Sequence, residues 1–217
     1  MKNVPPELLT EALVETVYMV SVSLFIGTIL GLPLALILVL TRSGGLKENK
    51  IIFFTFNTVV NIVRSLPFII LLVAIVPLTK LIVGKTYGTE AAIVPLIIYI
   101  APFIARLVEN SLLEVNEGII ELAKSLSATT FQTIRYFLVP EALASIVLTL
   151  TTATIGLIGA TAMAGTVGGG GIGNLAIAYG YERFNTAIIV VTVVILIIIV
   201  QIIQTIGNRL AKKIRHE

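Results

Sequence analysis

Of the 217 residues, 57% are hydrophobic and only 12% charged, against about 25% charged in ordinary soluble domains. A soluble core of this size has no use for that much apolar surface, whereas a bilayer does. The net charge of +3 is too small to point to nucleic acid, and the absence of Cys excludes disulfides and thiolate metal sites.

Met1 to Glu15 carries Lys2, Glu7, Glu11 and Glu15 rather than a basic leader, so the first span is expected to act as an uncleaved targeting signal. Asn3 to Pro6 reads as a non-helical lead-in, and Glu7 to Glu15 as a polar first helical turn or an interfacial helix. The first span is placed at about 14–41, and its stretch from Thr16 to Thr41 is uncharged and long enough to cross with tilt. Gly27 and Gly31 are spaced for close helix contact or are simply tolerated in a membrane helix, and Pro33 should kink it.

After a short basic loop at 42–50, the second span is placed at 51–79. Arg64 falls roughly 20 Å along it from Ile51, at 1.5 Å per residue, near the bilayer middle. A guanidinium there should not face lipid. Pro67 removes a helical hydrogen bond beside it. Arg64 is therefore either an inter-helix staple or part of a pathway. The third span is placed at 91–112, divided by Pro95 and Pro102, with Arg106 and Glu109 read as a surface pair at the membrane edge.

The segment 117–140 is polar and patterned. Ile119, Ile120, Ala123 and Leu126 form one apolar stripe on a helix, while Glu121, Lys124 and Ser125 take the other face, where Glu121 can meet Lys124 or Ser125. Ser127 to Thr130 interrupts the pattern, and a second helix follows until Pro140 closes it or kinks its passage into the next span. Such a helix needs a surface. Lipid-bound helices are usually rich in Lys and Arg, and the stretch from 117 to 126 has a single Lys, which favours docking on a partner protein.

A fourth span is placed at 142–163. The Gly-rich loop at 165–173 cannot remain helical at that glycine density, and Asn174 to Tyr181 reads as a short re-entrant or interfacial piece. A fifth span, 184–208, precedes the basic tail of Arg209, Lys212, Lys213 and Arg215. Across five spans the basic residues divide ten against four, counting the loop at 42–50, the segment 106–141 and the tail against Lys2, Lys80, Lys85 and Arg183. That bias puts the N-terminus outside and the C-terminus in the cytoplasm.

Intramembrane hydrolysis has no residues to run on: there is no Asp, and the only His is His216, in the tail. The glycine run is followed by Asn174, where a phosphate-binding loop needs Lys, so the chain is not expected to hydrolyse ATP. No metal site or cofactor is expected. A passive membrane scaffold would need neither broken spans nor a Gly-rich loop.

The segment from Glu121 resembles the cytoplasmic coupling loop of ABC importer permeases, which reads Glu-Ala-Ala, then Gly three residues on, then Ile-x-Leu-Pro. Glu121, Ala123 and Pro140 match in spacing, while Leu122, Ser127, Phe137 and Val139 depart from the pattern. Asn61-Ile-Val-Arg-Ser-Leu-Pro-Phe-Ile-Ile-Leu-Leu72, Ala101-Pro-Phe-Ile-Ala-Arg-Leu-Val-Glu-Asn110 and the run from Ala162 to Gly173 resemble the methionine-type permeases of that class. The resemblance implies a single all-helical permease domain over 1–217, in a bacterial inner membrane. It also implies a homodimer, two copies of a separate cytoplasmic ATPase and an extracytoplasmic solute-binding protein. Methionine is the implied solute, and nothing in the residues separates it from another small amino acid. The coupling residues would be Ile119, Ile120, Glu121, Ala123, Lys124, Leu126, Ser127 and Pro140, with Ala123 closest to the ATPase. Ser127, standing where the pattern has Gly, either makes a different turn or caps the second helix. A long, adaptable thioether can close a narrow gap, so Met163, ahead of Gly165, is read as a gate on the two-fold axis or as a packing Met. Arg64 and Pro67 complete the candidate pathway set.

Overall fold

The computed structural model describes residues 6–215, so Lys2, the lead-in from Asn3 to Pro5 and His216 lie outside the described residues. The helices are α1 (Pro6–Thr41), α2 (Lys50–Ser65), α3 (Phe68–Ala74), α4 (Val76–Val83), α5 (Thr89–Leu113) and α6 (Glu117–Ser125). A short α7 (Thr130–Gln132) widens into a π-helical stretch (Thr133–Leu138) and continues as α8 (Val139–Gly165). Then come α9 (Gly171–Asn174), a second π stretch (Leu175–Tyr181) and α10 (Thr186–Arg215).

Among the described residues, four helical runs are long and apolar enough to cross a membrane, Pro6–Thr41, Thr89–Leu113, Thr130–Gly165 and Thr186–Arg215. Only together do α2 and α3, bent by 104°, reach the same length and hydropathy, as a broken crossing or a re-entrant loop. The proline effect read at Pro67 is realised here, since α2 ends at Ser65 and α3 starts at Phe68. Pro95 and Pro102 behave differently and do not divide the third span, because α5 runs through both. This is the central helix, with Leu96, Ile100 and Ile104 fully enclosed, and neighbouring helices hold its axis despite the lost bonds. Likewise α1 runs unbroken through Pro33.

Against α5 lies α1. A Cβ on Gly31 would sit 2.7 Å from the Ala101 carbonyl oxygen, and one on Gly27 would collide with Ile100. These glycines are therefore contact positions, not merely tolerated ones. Glu7 to Glu15 is helical and continuous with α1, and Leu8, Leu9 and Leu13 pack with Ile172, Leu175 and Ile188. The basic tail is also helical, since α10 continues to Arg215. At one end of the bundle lie the start of α1, the turn before α5 and the glycine loop, joined where Gly88 donates to the Gly168 carbonyl. The loop at 42–49, α6 with its π stretch and the end of α10 lie at the other.

Candidate functional site

The coupling segment is built by strong local signals. Asn116 accepts the Gly118 amide through its side chain (2.8 Å), with Glu117 in the first turn of α6 and Lys124 in the last, as the helix dipole favours. At the other end, Ser127 donates its amide to Lys124 and Ala128 donates to Ala123, the paired bonds of a Schellman ending. That ending needs a left-handed residue, and Ser127 supplies it at φ +54°. Ser127 does not cap the second helix. Thr129 does so, in a reciprocal capping box with Gln132. Pro140 does not close the second helix but sits in the first turn of α8, just after the π stretch, where Val139 reaches back to the Ile134 carbonyl. The wider π turn admits the proline ring, so the hairpin's second arm and the fourth span are one run.

The apolar stripe is real, but its main neighbour is this chain itself. Ala123 is fully buried, and Ile119 and Ile120 pack on the bundle core. Ala123 therefore offers no surface of its own to a partner, because α6 lies back on the π stretch. The outward surface carries Leu122, Leu126, Phe131 and Tyr136, all more than half exposed, with Glu121, Lys124, Ser127 and Pro140 around them. No Glu121–Lys124 ion pair forms among the described residues; Ser125 donates its hydroxyl to the Glu121 carbonyl instead.

At the opposite end, α8 runs through Gly165 and α9 begins at Gly171, so only Thr166–Gly170 of the glycine loop is irregular. Gly165 packs directly on Gly173. Met163 is half exposed on the α8 face that also carries Thr152, Gly156 and Gly159, and the Thr166 hydroxyl donates to its carbonyl. Two residues that the sequence reading missed hold this loop. The Glu15 carboxylate accepts the Gly171 amide (2.6 Å) and the Thr89 hydroxyl (3.1 Å). Thr16 accepts the Ile172 amide at 2.9 Å. The one available signal was Glu15 itself, an acid bordering a long uncharged run.

In the middle, Arg64 and Pro67 are exposed on the chain's own surface, and Arg64 makes no hydrogen bond or ion pair among the described residues. Within the chain, among the described residues, the Arg that bridges helices is Arg106 and not Arg64. Nor is the Arg106–Glu109 pair at the surface: the side chains are 18% and 5% exposed. Arg106 donates to Glu109 (2.8 Å) and, across to α2, to Asn57 (2.6 Å) and Asn61 (2.8 Å). The pathway candidates and the coupling segment thus occupy separate levels of one bundle. Among the described residues no group of three His, Cys, Asp or Glu side chains forms a metal site.

A helical bundle with one sharply bent helix pair, a helical hairpin exposed at one end and a glycine-rich turn at the other is the architecture of a polytopic membrane permease. The chain belongs to the family of binding-protein-dependent transport system inner membrane components, whose family model matches residues 23–216. It is 50% identical over 210 residues to the probable D-methionine transport system permease protein MetI of Vibrio cholerae serotype O1, covering 97% of this chain and 93% of that protein. Identity to the D-methionine transport system permease protein MetI of Escherichia coli K12 is 47% over 158 residues, 73% of each chain. Among solved structures, an inward-facing MetNI methionine ABC transporter contains a chain that superposes with a TM-score of 0.95 at 43% identity, covering 98% of this chain and 99% of that one. An amino acid ABC transporter with histidines, at 19% identity and a TM-score of 0.74, shares the fold.

Proposed function

We propose that two copies of this chain form the translocation pathway of an ATP-driven importer for methionine. Two copies of a separate cytoplasmic ATPase would dock at α6 and its π arm, and an extracytoplasmic binding protein would deliver the solute at the glycine-loop end. The observation that carries this reading is the near full-length likeness to a permease of a D-methionine transport system. The exposed Leu122, Leu126, Phe131 and Tyr136 supply an apolar docking patch at one end. Glu121 and Lys124 flank it as charges for a partner to pair with.

Five crossings with few polar residues hardly enclose a path by themselves, whereas two copies around a two-fold axis can. Met163, half exposed at the end of a small-residue face on α8, would close such a path against its copy, and Gly165 lets the glycine turn pack close behind it. Arg64 and Pro67, exposed at the break of the second crossing, would face that interior rather than lipid.

The test is uptake by proteoliposomes holding the permease and ATPase, supplied with binding protein, across a panel of amino acids. ATP-dependent uptake of methionine above all other members is expected. Uptake that prefers another amino acid would replace the substrate, and ATP-independent uptake would remove the class. Met163→Ala is expected to raise ATP turnover without solute; unchanged turnover and transport would remove the gate.

A further inference from the structure

The two motifs at Asn61 to Leu72 and Ala101 to Asn110 are far apart in the chain, yet one side chain joins them. Arg106 of α5 reaches Asn57 and Asn61 on successive turns of α2 while its other terminal nitrogen holds Glu109. Within the chain, little apolar burial holds α2. Of its 16 residues, only Val60 is buried, and it lies on the stretch between the two asparagines. Beyond the break the attachment changes character. There α3 buries Phe68, Leu71 and Leu72, with the Phe68 ring set edge-on to Tyr99 at 5.2 Å. Apolar contacts of that kind tolerate sliding, whereas a guanidinium shared between two carbonyl oxygens one turn apart fixes both register and rotation. At the bottom of α5 the chain passes directly into α6, with only three residues between them.

We propose that Arg106 is a positioning residue of the transport cycle: it clasps α2 to α5 so that displacement of α6 carries the inner half of the broken crossing with it, up to the break at Pro67. This rests on the reading of the chain as an ATP-driven permease with α6 at the ATPase. The bend between α2 and α3 is then the place where a rigid inner half meets an outer half held by apolar packing. Asn57 and Asn61 are the groups to change, because removing them leaves the buried Arg106–Glu109 pair intact, whereas removing Arg106 would strand a buried carboxylate.

The experiment uses the assembled transporter in proteoliposomes. Asn57→Leu with Asn61→Leu removes both charge-assisted bonds from Arg106 to α2 and is expected to assemble and hydrolyse ATP as before, while solute moved per ATP falls at least about tenfold, the lower end of what even one such bond is worth. Spin labels on Val59→Cys and Leu113→Cys, in this Cys-free chain, give a second measurement independent of the folding of that variant. In the otherwise unaltered protein the α2–α5 distance should stay constant between nucleotide-free and ATP-bound states. A distance that changes between the two states overturns the proposal. So does a double variant with lower thermal stability but unchanged solute per ATP, since the clasp would then be structural only. Failure of the unaltered transporter to take up solute with ATP would instead count against the proposed function, and the label distances would still decide the clasp.

Discussion

Ser127 holds a left-handed backbone angle that a side chain with a Cβ adopts at a cost of about 1–2 kcal/mol. The α6 ending demands it, because both Schellman bonds form only with that residue turned. Ser127→Gly should remove most of the strain and, after the added flexibility of Gly in the unfolded chain, stabilise the purified permease by about 1 kcal/mol or less. A rise in its thermal midpoint is the measurement; a fall would mean that the Ser side chain contributes something the turn does not explain. The neighbouring residue pair tests which way the helix faces. Ala123 is enclosed by the permease, so Ala123→Trp should overpack this chain by about 1–3 kcal/mol and lower the stability of the permease without any ATPase present. Leu126 is 64% exposed, so Leu126→Glu should leave that stability unchanged and abolish copurification with the ATPase. Equal stability of the two variants would return Ala123 to the docking face.

Helices were legible in the sequence wherever a single local rule decided them. Uncharged runs marked the crossings, Pro67 marked the break, and the polar stretch from Glu117 marked the hairpin. The periodic stripe of α6 was also legible, but periodicity says only that one face is covered, not by what; the bundle core covers most of it. Prolines misled for a related reason: Pro95 and Pro102 carry the same backbone penalty as Pro67, yet α5 is enclosed and α2 is not. The contact that composition could not foretell is the one between Glu15 and Gly171, 156 residues apart. Gly171 has φ +76°, and a Cβ on it would lie 2.7 Å from the Thr16 hydroxyl, so the α9 start is fitted against α1 and its amides are fastened by two α1 side chains. Glu15→Ala should release this end of the glycine turn while the long helices persist. Backbone hydrogen exchange over residues 165–175 is expected to rise about tenfold, matching one charge-assisted bond, with helix content unchanged. Exchange as slow as in the parent would show that packing of Ile172 and Leu175, not the carboxylate, secures the turn.

On the scale of the whole molecule, the fold gathers the basic residues at one end. Arg42 and Lys124 line the same recess between the α1–α2 loop and α6, and Arg215 lies by Glu114 and Glu141. Lys47, Lys50, Arg135, Arg209, Lys212 and Lys213 belong to the same three segments. The opposite end carries Lys85 in the turn before α5, paired with Glu90, and Arg183 beside Tyr179. A membrane protein is oriented with its Lys- and Arg-rich short loops in the cytoplasm, so the α6 end is predicted to be cytoplasmic and the glycine-loop end external. The Cys-free background permits a direct check by an impermeant thiol reagent added to intact cells. Leu46→Cys and Ile120→Cys should be shielded until the membrane is opened. Phe184→Cys, at a position 91% exposed, and Tyr87→Cys, at one 71% exposed, should react at once. Labelling of 46 and 120 in intact cells, with 87 and 184 protected, would invert the molecule. It would also put the α6 hairpin on the side where no ATP is available, so the same result would remove the docking assignment together with the topology.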